Sequence, residues 1–242
     1  MTLSLAVAFA LLAAPASAAP TTTLTVSATL LSQPKGKPWQ IGVGVAVTIA
    51  NPDGSQPSPL RHLQIKFPRG AKTNFGAFPA CSQKRLEARK SPDGCPAASR
   101  IGKGTAKVSA IPIFPDPVVG TIDVFNGPRK GRGRTLLFLA RSTTPISVQF
   151  VFSGTLRPAT GRFGYILDVD VPRIPTIPGV PDAAPVAFET LVQARRGGIS
   201  YIDAPTSCPK AGLPFQGTFT FADGSTSTAA AHIGCTLTST PG

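Results

Sequence analysis

The stretch Gln40-Ile41-Gly42-Val43-Gly44-Val45-Ala46-Val47-Thr48-Ile49-Ala50 decides the fold class. Ile41, Val43, Val45, Val47 and Ile49 recur at every second residue, the period of a strand with one face buried. Asn51-Pro52-Asp53-Gly54 ends the run with turn residues. The same alternation lies on either side. Thr21–Leu31 alternates Thr and Ser with Leu and Val, and Leu60–Phe67 sets Leu63, Ile65 and Phe67 on one face. His62, Gln64 and Lys66 take the other face, toward water.

Downstream, strand signals recur at Gly104–Ile113, Val118–Phe125, Thr135–Ala140, Ile146–Leu156, Arg162–Val171 and Val186–Ala194. Phe215–Phe221 and Thr226–Thr236 flank Ala222-Asp223-Gly224-Ser225, a hairpin signal. With 26 Pro and 24 Gly in 242 residues, long helices are excluded. The one helix expected is Ser82–Lys90, with Ser82 as N-cap and Pro92-Asp93-Gly94 as its stop. The five prolines of Pro172–Pro185 make an extended connector. About ten strands at short spacing predict an all-β, antiparallel β-sandwich with one short helix. The alternative is two small sandwiches in tandem, divided near 114–117.

The N-terminus carries an apolar run, Leu5–Ala14, broken by Pro15 and followed by Ala16-Ser17-Ala18. That run is shorter than the roughly 20 residues of a spanning helix and fits a secretory signal, residues 1–18, although no Lys or Arg precedes it. The expected product, 19–242, is a secreted or envelope-associated protein with no transmembrane segment. Four cysteines behind such a signal imply disulfides. Of the three pairings, Cys81–Cys95 and Cys208–Cys235 are favoured. Folding about Asp223-Gly224 brings Cys235 opposite the stretch near Gly212, a few residues past Cys208. A zinc site is the competitor. The cysteines lack C-x-x-C spacing, and His62 and His232 are the only histidines, so no metal and no cofactor are expected.

Several stretches together carry a resemblance: Phe67-Pro68-Arg69-Gly70, Cys81 to Cys95-Pro96, Ser99 to Ala106, Val124-Phe125-Asn126-Gly127-Pro128, and the hairpin ending at Cys235. From about Leu60 to Cys235 the chain resembles a group of exported actinobacterial β-rich proteins with two cysteine pairs. The shared motifs are structural, and the resemblance implies no activity.

The formal charge is +13, and Arg61–Arg134 alone holds 15 basic and 4 acidic residues. Such an excess can attract anionic wall polymers or a membrane surface. Arg129, Lys130, Arg132 and Arg134, interleaved with glycine, are the candidate contacts for an anionic partner. No aromatic interrupts that loop, so no specific nucleic acid is expected. No G-x-S-x-G elbow and no phosphate-binding glycine motif occurs. Asp168 and Asp170 share one strand face and are the candidate acid pair for a glycan-directed hydrolase, with a surface ion pair to Arg157 or Arg162 as the alternative. The leading expectation is a non-catalytic exported sandwich that binds an anionic surface. A secreted hydrolase and a structural or adhesive module are the alternatives.

Overall fold

The computed structural model describes residues 19–235. The expected signal segment, 1–18, and residues 236–242 lie outside them.

The strands run β1 (Thr21–Ser32), β2 (Gln40–Ala50), β3 (Leu60–Pro68), β4 (Lys72–Thr73), β5 (Arg100–Ala110), β6 (Phe114–Lys130), β7 (Gly133–Ser142) and β8 (Val148–Pro158). They continue as β9 (Phe163–Asp170), β10 (Ala184–Val192), β11 (Arg195–Arg196), β12 (Ile199–Ser200), β13 (Ile202–Asp203), β14 (Leu213–Phe221) and β15 (Thr226–Ile233). All but β11 and β12 join one antiparallel sheet in the order β15-β14-β3-β9-β8-β7-β6-β5-β10-β2, with β1 on the outer edge of β2 and β13-β4 beyond the start of β2. The all-β expectation holds. The ladder is one continuous sheet rather than two tandem sandwiches, and 114–117 opens β6 inside it.

The sheet rolls on itself until β1 lies beside β15, where Thr22 Oγ1 and Ser227 Oγ share a hydrogen bond of 2.8 Å. Period-two alternation then has a plain consequence: every second side chain points into the roll. One register row runs Val43, Val192, Gly102, Val124, Phe138, Phe152 across six strands. Phe138 and Phe152 stack with ring centroids 5.1 Å apart. The outward positions of β5 are the exposed Lys103, Thr105 and Lys107. Apolar inside and charged outside is the reverse of a transmembrane barrel. Among the described residues no helix is long and apolar enough to cross a membrane.

Inward glycines on β5 let the sheet bend this tightly. A Cβ on Gly104 would lie 1.8 Å from the Glu189 carbonyl oxygen of β10. Any larger residue there forces the two strands apart.

A second, smaller core sits outside the roll. Helix α1 (Gln83–Arg89) is capped as expected, Ser82 Oγ accepting from the Arg85 N–H and Lys90 closing it at φ 48°. Its Leu86 is fully buried against Cys81, Cys95, Phe125, Leu137 and Leu139 on the outer face of β6 and β7. The approach to this helix is tied down by Asn126. Its Nδ2 donates to the carbonyls of Phe75, Phe78 and Pro79, and its Oδ1 accepts from the Tyr201 hydroxyl at 3.0 Å.

Both favoured disulfides are present, Cys81–Cys95 and Cys208–Cys235, with Cα separations of 5.4 and 5.7 Å. Leu213 pairs with Ile233, so the hairpin brings Cys235 back to Cys208 as the turn signal implied. The Cys208–Cys235 link spans 27 residues. Loop-closure entropy assigns it about 3.5 kcal/mol. Replacing both cysteines by serine should lower the thermal midpoint by roughly 7–14 °C for a chain of this size, measured by calorimetry. An unchanged midpoint would show that the hairpin alone holds this end.

Candidate functional site

The roll is not packed solid. A cavity of ≈ 960 Å³ passes along its interior from one end to the other. Its wall is aliphatic and aromatic: Val45, Leu63, Ile122, Phe138, Phe152 and Val169 represent six different strands. The void has a residue-level cause. Four inward positions across β5, β6 and β7 are small: Gly104 and Ala106 on β5, Gly120 on β6, Ala140 on β7. Where β1, β2 and β14 meet, by contrast, Leu24, Val47, Ile49 and Phe219 fill the interior.

Among the described residues the wall contains two charged ones, Lys37 and Arg141. Arg141 is committed outward, its guanidinium donating to buried Asp123 Oδ2 at 2.8 Å, with Arg100 on the other oxygen. Among the described residues no Asp, Glu or His lines the lumen. Its polar features are hydroxyls: Thr73 Oγ1 donates to Tyr165 Oη, and the Tyr201 phenol is used up on Asn126. Burial pushes the Tyr201 phenol well above its ordinary pKa, so it stays a neutral donor.

The two mouths differ in chemistry. Five strand connections, 33–39, 69–99, 131–132, 159–162 and 193–212, meet at one end and hold thirteen Lys or Arg and three Asp or Glu. The other five, 51–59, 111–113, 143–147, 171–183 and 222–225, hold Arg173 against Asp53, Asp182 and Asp223. At the basic end the rim includes Trp39, 37% exposed, and Lys37. At the far end it includes Ile146 and Ile177, 45% and 59% exposed.

The proline connector 171–183 forms part of that far rim. Asp182 anchors it, accepting from Arg173 Nε at 2.9 Å and also pairing with Arg61 of β3. The hydrogen bonds from Arg173 and then Arg61 hold the Asp182 carboxyl below its ordinary value. A depressed carboxylate pKa contributes stability above the unfolded value and loses it as pH falls through the folded one. The connector should therefore loosen below the ordinary carboxylate range. Amide protection factors in 173–183, taken against the intrinsic exchange rate at each pH, should fall there in wild type but be pH-independent, and already low, in Asp182→Asn. Equal protection in both proteins at neutral pH would refute the anchor.

The sequence-predicted residues lie elsewhere. Arg129, Lys130, Arg132 and Arg134 sit on the β6–β7 hairpin at the basic end, outside the lumen wall. Arg134 covers the Phe75 ring at 5.2 Å, and Arg129 Nε donates to the Gly131 carbonyl. Asp168 and Asp170 stand on the outer face of β9. Asp168 accepts from Gln64 Nε2 at 2.8 Å and Arg157 Nε at 2.9 Å, and Asp170 shares a hydrogen bond with His62 Nδ1 at 2.9 Å. Asp170 is 95% exposed, so this row of partners lies on an open sheet face rather than across a cleft. Trp39 and Lys37 are the site residues that sequence reading missed. The chain's single Trp, set between Lys35-Gly36-Lys37-Pro38 and a strand, was the available signal.

Comparison with protein-family models, curated proteins and solved structures finds no match to this chain. The functional reading therefore rests on geometry.

Proposed function

We propose that this protein is an exported, non-catalytic carrier that holds an apolar or amphiphilic molecule lengthwise in the lumen of its rolled sheet. The observation that carries the reading is the ≈ 960 Å³ interior with an almost uncharged wall. That volume lies at the upper end of ligand-binding cavities. A chain of CH₂ groups would gain about 0.8 kcal/mol for each one removed from water. The apolar segment Leu5–Ala14 and the two disulfides support export. The partners of half-buried Asp168 and the exposure of Asp170 favour a surface network over a hydrolase site.

A fluorescent polyene fatty acid tests it. Binding should saturate at one ligand per chain, be displaced by unlabelled long-chain fatty acid, and draw energy from Trp39 at the mouth. Linear, non-saturating uptake would overturn the reading.

A further inference from the structure

The charge on this molecule is sorted by end, and the sorting coincides with a lumen mouth. The rim segments at the basic end are 36–39, 68–73, 205–208 and 234–235. Lys35, Lys37, Arg69, Lys72 and Lys210 lie in or beside them, all exposed, and none has a carboxylate within 4 Å among the described residues. No Asp or Glu occurs in those rim segments. At the far end Arg61 and Arg173 pair with Asp182, and the connections also hold Asp53 and Asp223, so among the described residues no ring of unpaired cations forms there. Unpaired cations ringing an opening are an attractive surface for anions.

The ring alone would suit any polyanion. Two further residues narrow the choice. Trp39 on the rim and Ile199 in the adjoining 193–212 connection are large apolar side chains left 37% and 44% exposed at this same end. A carbohydrate polyanion offers such groups no apolar phase. The interface of a bilayer does, and an indole among lysines is the arrangement that interface favours. We infer that the basic end docks on an anionic lipid bilayer, with Trp39 entering the headgroup region and Lys37 and Lys72 meeting lipid phosphates, so that the lumen opens toward the acyl chains. This rests on the carrier reading only for its last clause, since docking is measured without ligand.

Co-sedimentation with phosphatidylglycerol–phosphatidylcholine vesicles and with pure phosphatidylcholine vesicles tests it. The protein should bind the anionic vesicles, bind the neutral ones at least tenfold more weakly, and release as salt rises. Trp39 emission should shift to the blue on binding. The double variant Lys37→Gln/Lys72→Gln changes two exposed side chains and should leave the thermal midpoint in place. It should weaken vesicle binding roughly thirty-fold, about five-fold per cation at an anionic surface. Equal binding to neutral vesicles would move docking to the Ile146/Ile177 end and overturn the inference. So would full affinity in the double variant. Tight binding to dextran sulfate together with an unmoved Trp39 emission on vesicles would reassign the basic end to a polyanion. The lumen-filled variant Ala140→Phe should still bind anionic vesicles. Loss of fatty-acid binding with vesicle binding intact then separates failure of the carrier from failure of the dock.

Discussion

Ala140→Phe should abolish tight binding of long-chain apolar probes while leaving the protein folded. Ala140 points inward from β7, beside Ile122 of β6 and Phe150 of β8 in one register row. A benzyl group there enters the lumen instead of packed atoms. Excluding about four CH₂ groups of a probe at about 0.8 kcal/mol each costs about 3 kcal/mol, or about a hundredfold in affinity. The stability readout is as informative as the binding one. Overpacking a filled core costs about 1–3 kcal/mol, whereas filling a lumen should leave the denaturation midpoint in place or raise it. Leu139→Ala, one residue away, provides the contrast. Leu139 is fully buried on the opposite face with Leu86 of α1. It should destabilise by about 2–5 kcal/mol and leave probe affinity unchanged. A large drop in midpoint for Ala140→Phe would mean that the interior at β7 is occupied by protein, and the carrier reading would fall with it.

Asn126→Ala should be the most damaging single change to stability among the polar residues. Asn126 is fully buried. Its amide serves three backbone carbonyls of 75–79, its Oδ1 serves Tyr201, and its own carbonyl accepts from the Cys81 N–H at 2.8 Å. Truncation strands the Tyr201 hydroxyl and the carbonyls it had satisfied. At about 1–3 kcal/mol per buried orphan the loss should be about 4 kcal/mol. Tyr201→Phe removes only the donor and should cost about 1–2 kcal/mol. Because both act through one contact, the double variant should lose less than the sum of the singles. Urea denaturation of the four proteins measures this cycle. Strict additivity would show that the Tyr201–Asn126 hydrogen bond contributes nothing.

The residue pattern determined a good deal by itself. Alternation fixed which side chains share a face: Gln40–Ala50 is a strand with the bounds its periodicity gives, because Ile41 to Ile49 cannot be buried together in any other backbone. Ser82 and the residues after it fixed a short helix through a cap that needs only local atoms. Asp223-Gly224 fixed a hairpin, and the hairpin fixed which cysteine Cys208 meets. All of these are contacts between near neighbours in the chain.

Partner choice among distant strands was decided only in three dimensions. β3 lies between β9 and β14, about a hundred and a hundred and fifty residues downstream, and β10 inserts between β2 and β5. Period two says that a face is apolar but not what it faces, so the same pattern reads equally as a sandwich or as a roll. The lumen depends on Gly104, Ala106, Gly120 and Ala140 falling on neighbouring inward positions, which are separated in sequence by up to 36 residues. The charge sorting has the same origin. Lys37, Lys72 and Lys210 are remote along the chain, and the up-and-down course of the strands delivers their connections to one end. Antiparallel pairing sends alternate connections to opposite ends of a sheet, and that geometry, rather than any local motif, gathers a mouth, a tryptophan and a ring of cations in one place.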